Sequence, residues 1–250
     1  MRIIVLNLHK YRYIFGVIKI TAIALVLLIL SGIITRAHIS SDRYLATLAD
    51  ENERNLVILD AGHGGEDPGA IGVSGVYEKD LNLEIVKEIG TVLKEKGFAV
   101  LYTRTEDKLL YAESENVKGL RKISDLKNRC KIAAEYPKSI FISVHMNSYG
   151  DSKYSGMQVY YSTKTDESKV LASSIQSNVK NSVQQTNNRT VKTGNDIYVL
   201  ENISNTAVLI ECGFITNQEE CKKLSEKEYQ KQLSLAIVCG IIEYKEKISQ

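Results

Sequence analysis

Beyond residue 55 the apolar positions fall into two rhythms that alternate along the chain. Short apolar runs at 56–60, 99–102 and 140–144 are too brief for helices and predict strands. Residues 157–161 alternate apolar and polar like a half-exposed strand, and 197–200 and 207–210 read as two more. Between these runs the spacing becomes helical. Leu81, Leu83, Ile85, Val86, Ile89 and Leu93 mark a helix over 80–96 that Gly97 should end. Further helices are expected over 124–136, with Pro137 just beyond, over 166–183 and over 227–247. Strands separated by helices of this length call for an α/β fold, a largely parallel sheet covered on both faces.

The N-terminal end follows a different pattern. Residues 13–34 are interrupted by a charge only at Lys19, and 20–34 carry none. That reaches the roughly 20 residues that span a bilayer. Arg2, Lys10, Arg12 and Lys19 precede or flank the run, so the N-terminus should stay in the cytoplasm while the rest crosses. Thr35-Arg36-Ala37 is a poor cleavage site, which favours an uncleaved anchor over a removed signal peptide and a secreted product. The expected organisation is a cytoplasmic flank and transmembrane signal-anchor over 1–36, a polar stalk over 37–54 and a globular domain over 55–250.

Composition narrows the class without naming it. The chain is 44% hydrophobic and 25% charged, ordinary for a globular protein. A net charge of +2, with no basic run beyond the N-terminal flank, gives no reason to expect nucleic acid. Cys130, Cys212, Cys221 and Cys239 lack C-x-x-C spacing and are expected to be small buried hydrophobes.

In open α/β sheets, ligands bind outside the carboxyl ends of the strands. His63, His145 and Glu211 each follow a strand within a few residues, so the fold should gather them along one edge. Of four histidines, His9 and His38 belong to the anchor region, leaving His63 and His145 to the domain. Two imidazoles with one carboxylate make a three-ligand zinc site with an open fourth position, the catalytic arrangement. A further carboxylate off the metal could move protons. Each residue also has a plainer reading. Either histidine alone could be structural, Glu78 could serve the dipole of the helix beginning after it, and Glu211 could sit in an ion pair. The glycine-rich stretch from Gly62 to Gly75 could cradle phosphate, but neither G-x-x-x-x-G-K-[ST] nor G-x-G-x-x-G is there.

Six ordered blocks carry a family resemblance running from about Asn55 to Tyr244. They are Leu59-Asp60-Ala61-Gly62-His63-Gly64-Gly65 with Asp67 and Gly69-Ala70; Tyr77-Glu78-Lys79-Asp80-Leu81-Asn82-Leu83; Thr103-Arg104 with Asp107; Ser143-Val144-His145-Met146-Asn147-Ser148; Ser155-Gly156; and Leu209-Ile210-Glu211-Cys212-Gly213-Phe214-Ile215-Thr216-Asn217. The sequence resembles the zinc-dependent N-acetylmuramoyl-L-alanine amidases of the type 3 group. The resemblance implies a single α/β domain with a central, mostly parallel sheet. It implies one zinc ion on His63, Glu78 and His145, with Glu211 as catalytic carboxylate. The implied substrate is peptidoglycan, cut between N-acetylmuramic acid and the L-alanine of the stem peptide. The extended segment 108–127, containing Gly119-Leu120-Arg121-Lys122, and the single anchor resemble the sporulation branch, which strips stem peptides from spore cortex before muramic-δ-lactam forms. The catalytic domain is then extracytoplasmic, in the intermembrane space of the developing spore.

Two departures stand out. Asn205-Thr206 replaces a proline that often precedes the last strand, and only seven residues separate Asn147 from Ser155, leaving no room for the autoinhibitory helix of some relatives. The pocket is therefore expected to be open, while an accessory protein or a homodimer stays compatible with the sequence. Asn147 could orient a substrate group or simply make a turn. Hydrolysis of another amide, by a peptidase or a sugar deacetylase, and a non-catalytic wall-binding module are the alternative functions.

Overall fold

The computed structural model describes residues 50–111, 113–117 and 119–249, with scattered helical positions between 17 and 36. Residues 1–51 form one compact unit and 52–250 another. The expected anchor over 13–34 lies for the most part outside the described residues. Among the described residues no helix is long and apolar enough to cross a membrane.

A six-stranded sheet organises the second unit. Its strands are β1 (Leu56–Ala61), β2 (Ala99–Tyr102), β3 (Ile140–Asn147), β4 (Gln158–Tyr161), β5 (Lys192–Thr193) and β6 (Thr206–Phe214), in the order β2-β1-β3-β6-β4-β5. The pairs β1–β2, β1–β3, β3–β6 and β4–β5 are parallel, while β4 runs antiparallel to β6. The chain leaves β1 toward β2 on one side and returns to β3 on the other. The crevice between β1 and β3 is therefore a topological switch point, where ligands of such sheets bind.

Strand alternation sorts the two faces. Val57, Leu59, Ile142, Val144, Val208 and Ile210 point into one core, under the helices α1 (Glu78–Glu95), α3 (Asp166–Ser182) and α6 (Lys227–Ile248). Ile58, Phe141, Ala207 and Leu209 point to the other, under α2 (Arg121–Ala134) and α4 (Tyr198–Asn202). His145 and Glu211 are register partners in parallel β3 and β6, so both side chains emerge on the α2/α4 face, on strands about 4.8 Å apart.

Three sequence expectations are corrected, and one helix is added. Residues 197–200 are not a strand: Val199 and Leu200 are buried from the short helix α4, with buried Ile203 just past its end, while Tyr198 stays exposed. Four apolar residues cannot distinguish the two periods. His145 and Glu211 do not follow their strands but lie within them, because the sheet continues to Asn147 and Phe214. Of the cysteines, Cys212 and Cys221 are buried, but Cys130 is half-buried and Cys239 exposed. Helix α5 (Gln218–Ser225) had a readable signal: Asn217 Oδ1 caps the Glu220 amide at 3.0 Å, with Glu219 and Glu220 in the first turn. Gly97, at φ 85°, ends α1 as expected, and the Phe98 amide bonds back to the Leu93 carbonyl at 3.0 Å.

At the entry to β6, Asn205 takes over what a proline would do by stiffness. Its buried Nδ2 donates to the carbonyls of Ala133 and Tyr136 and to Ser139 Oγ, at 3.2, 2.8 and 3.0 Å. This ties the last strand to the α2–β3 turn.

Candidate metal centre

His63 is delivered by the turn that leaves β1, and among the described residues it alone is a non-glycine at positive φ, 62°. Such a backbone costs on the order of 1–3 kcal/mol and persists only when its surroundings enforce it. Two buried guanidinium groups do so. Arg104 donates Nε to the Ala61 carbonyl at 2.9 Å and Nη2 to that of Gly62 at 3.0 Å. Arg129 donates to the carbonyls of Ala61 and His63 at 2.8 and 2.9 Å. The carbonyls of three successive residues are thus fixed from outside the turn. Arg129 is itself held by Asp125 and by Asp60. Burial opposes the charge on Asp60, but Arg129 and the hydroxyls of Ser143 and Thr103 keep its carboxyl below the usual range.

Glu78 is the first residue of α1, where the helix dipole favours an anion. Both readings of this residue therefore hold, because the same side chain reaches the two imidazoles. Its Oε1 is 3.2 Å from His63 Nε2 and 2.9 Å from His145 Nδ1, and it accepts the Met146 amide at 3.1 Å. Oε2 accepts the Ala70 amide at 2.8 Å. Burial works against the Glu78 charge, yet hydrogen bonds from His145 and His63 hold its carboxyl well below the ordinary range.

The imidazoles of His63 and His145 stand edge to face with centroids 4.9 Å apart. One donor atom from each of His63, Glu78 and His145 lies within 4.8 Å of the others. The glycines around them explain why the loop composition is what it is. A Cβ at Gly62 would sit 2.2 Å from the His145 ring, and one at Gly69, where φ is 68°, would sit 2.5 Å from Glu78 Oε2.

Glu211 completes the group from β6. It is half-buried, and its inner oxygen, Oε2, is enclosed without a protein partner. Burial pushes its carboxyl up to about 7, His145 and His63 opposing and Glu78 adding to the shift. A carboxylate of this kind needs a cation or a water to face.

The structure brings the sequence candidates His63, Glu78 and His145 together and sets Glu211 across from His145 on the next strand, while sequence reasoning assigned no role to Asp67, Arg104 or Arg129. Asp67 Oδ2 lies 2.9 Å from His63 Nδ1, and Lys122 Nζ lies 3.3 Å from the same oxygen. The visible signal for the arginine network was Asp60, a lone charge closing an apolar strand, together with the Asp125/Arg129 spacing on one helix face. A cavity of about 180 Å³ opens beside the centre, between His63, His145, Asp67, Lys122 and Tyr198.

The family model of the N-acetylmuramoyl-L-alanine amidases matches residues 57–243. The chain belongs to this family. It is 34% identical over 189 residues to the germination-specific N-acetylmuramoyl-L-alanine amidase of Bacillus subtilis, covering 76% of this chain and 79% of the relative. Among solved structures it resembles the CwlD amidase from Clostridioides difficile in complex with the GerS lipoprotein. There the TM-score is 0.73 and the identity 40%, over 76% of this chain and 98% of that one. It also resembles the amidase AmiC2 of Nostoc punctiforme, with TM-score 0.66 and 31% identity over 77% and 98% of the two chains. The protein is thus a peptidoglycan hydrolase that cuts between N-acetylmuramic acid and L-alanine, and its His-Glu-His triad is that of the zinc-dependent family. Another amide and a purely binding role, both open on the residues alone, give way to this activity.

Proposed function

We propose that one zinc ion is held by His63 Nε2, Glu78 and His145 Nδ1, and that Glu211 is the catalytic carboxylate. The donor set fits zinc: nitrogen and carboxylate oxygen only, three protein ligands, and space for a fourth. The observation that carries the assignment is the unpartnered Oε2 of Glu211 at the edge of these converging donors. When bound, zinc supplies a Lewis acid that polarises the amide carbonyl and makes water nucleophilic near neutral pH. Glu211, poised at about 7, takes a proton from the attacking water and passes it to the departing L-alanine amine. Asp67 holds the His63 ring, and Arg104 and Arg129 hold the turn beneath it. Metal analysis beside muropeptide chromatography tests these roles. Glu211→Ala should keep zinc and lose cleavage, whereas His63→Ala and His145→Ala should lose the metal.

The biological setting is proposed from the relatives. Similarity to a germination-specific amidase supports action on spore cortex, where stem-peptide removal precedes muramic-δ-lactam formation. The apolar run at 13–34 supports a membrane anchor over 1–36 and a stalk over 37–54, with the domain over 55–250 outside the cytoplasm. A lipoprotein partner is proposed from the relative seen in complex with one. Mass spectrometry of cortex fragments from cells lacking the protein tests the setting: muramic-δ-lactam should disappear, and its persistence would contradict it.

A further inference from the structure

The β3–β4 loop carries a feature that the chemistry above does not use. Tyr149 is 59% exposed and Tyr154 38% exposed. Their rings meet edge to face, with centroids 4.9 Å apart and planes at 83°. Tyr154 also lies near-parallel to buried Phe214, at 6.2 Å and 30°. Behind this stack, Arg189 sits 4.6 Å from the Phe214 ring. The loop is pinned on several sides. The Tyr149 amide donates to Thr216 Oγ1 at 3.1 Å, Asn217 Nδ2 to the Ser152 carbonyl at 2.7 Å, and Arg189 Nε to the Ser155 carbonyl at 2.8 Å. Two aromatic rings are therefore presented to solvent by a fixed scaffold.

Their place in the fold links them to the reaction. Tyr149 is four residues past His145, so chain reach keeps it within about 14 Å of that residue. Phe214 is three residues past Glu211 and is the register partner of Asn147. The surrounding loop residues Ser148, Gly150, Asp151, Ser152 and Lys153 are polar or small, and exposed. Such a patch has the size of a sugar ring, far below the roughly 1,000 Å² that a stable protein interface buries.

We infer that Tyr149 and Tyr154 form a stacking subsite for a pyranose ring of the glycan strand, beside the bond that is cut. The inference rests on the amidase reading and deepens it. A pyranose has a face of C–H groups and a rim of hydroxyls. A tyrosine ring accepts the apolar face, while its phenol and the ammonium of Lys153, 5.4 Å from the Tyr154 ring, meet the rim.

The test compares two substrates with the same stem peptide, a single N-acetylmuramoyl-peptide and a glycan strand of several disaccharides, using the zinc-loaded full chain. Tyr149→Ala and Tyr154→Ala should each lower kcat/KM on the strand about tenfold, equivalent to about 1.4 kcal/mol, mainly through KM. The loss on the single sugar should be several-fold smaller, and Tyr149→Phe, which keeps the ring, should retain most activity on the strand. Equal losses on both substrates would overturn the subsite. So would undiminished strand cleavage by the alanine variants, the result expected of a protein-docking surface. A wild-type chain inert on both substrates would instead bring down the amidase reading and the subsite with it.

Discussion

Asp67 accepts the Nδ1 proton of His63 at 2.9 Å, which leaves Nε2 of the same ring, 3.2 Å from Glu78, as the nitrogen that can exchange its proton for a cation. An ionised carboxylate only accepts, so this contact fixes the tautomer as well as the ring plane. Asp67→Asn should therefore weaken zinc binding about 10–100-fold while the fold stays intact. Competition with a zinc chelator measures it, and unchanged affinity would remove Asp67 from the centre.

The clamp beneath the turn makes a separate prediction. Arg129→Met leaves Asp60 charged, buried and without its cation, which should destabilise the domain by about 3–5 kcal/mol. Urea unfolding reads this directly. The double variant Asp60→Leu/Arg129→Met should recover part of the loss, since the Asp60 charge is gone and only buried Asp125, which keeps the Leu110 amide, lacks its cation.

Gly62→Ala tests the close approach of the β1 turn to His145. A Cβ there would lie 2.2 Å from the imidazole, so the ring must shift from the position in which it meets Glu78. Zinc content should fall sharply with secondary structure retained, as seen by metal analysis beside circular dichroism. Full loading would show that the ring has another place to go.

Protonation gives the pH dependence of metal binding and stability. Burial disfavours the charged His63 ring, yet Asp67 and Glu78 raise it from 6.5 to about 9. In protein stripped of metal, the stability this supplies is fully present below about 6.5 and lost as pH rises through about 9. Zinc replaces that proton, so its affinity should climb by up to about tenfold per pH unit below 9 and then level off. Affinity independent of pH over this range would contradict the proton–metal exchange.

The elements legible in the sequence were those with an unambiguous period. Helix α1 shows six apolar residues at helical spacing, and β1 and β3 are apolar runs ending in polar ones. The site was legible because strand direction carries chemistry: side chains at the C-terminal ends of β1, β3 and β6 must share one edge. What stayed hidden depended on tertiary contact. Residues 198–202 fold as a helix because α2 offers Leu126, Cys130 and Ala133 to pack against, and four apolar residues do not announce that. Asp67 reaches His63 across a turn and Arg129 reaches it from 66 residues away, so neither contact with His63 could be read from spacing, although the Asp125/Arg129 pair could.

Glu211 remains the most direct test of the whole account. Zinc content and stem-peptide release should be measured together on the full chain and on Glu211→Ala, across a pH series for the wild type. One zinc per chain in both proteins, with cleavage lost in the variant, is the predicted result. In the wild type, kcat/KM should show an acidic limb at or below about 7, since the carboxylate must be free of its proton and the nearby cation can only lower that value. Full cleavage by Glu211→Ala, or a wild-type chain that releases stem peptides without zinc, would contradict it.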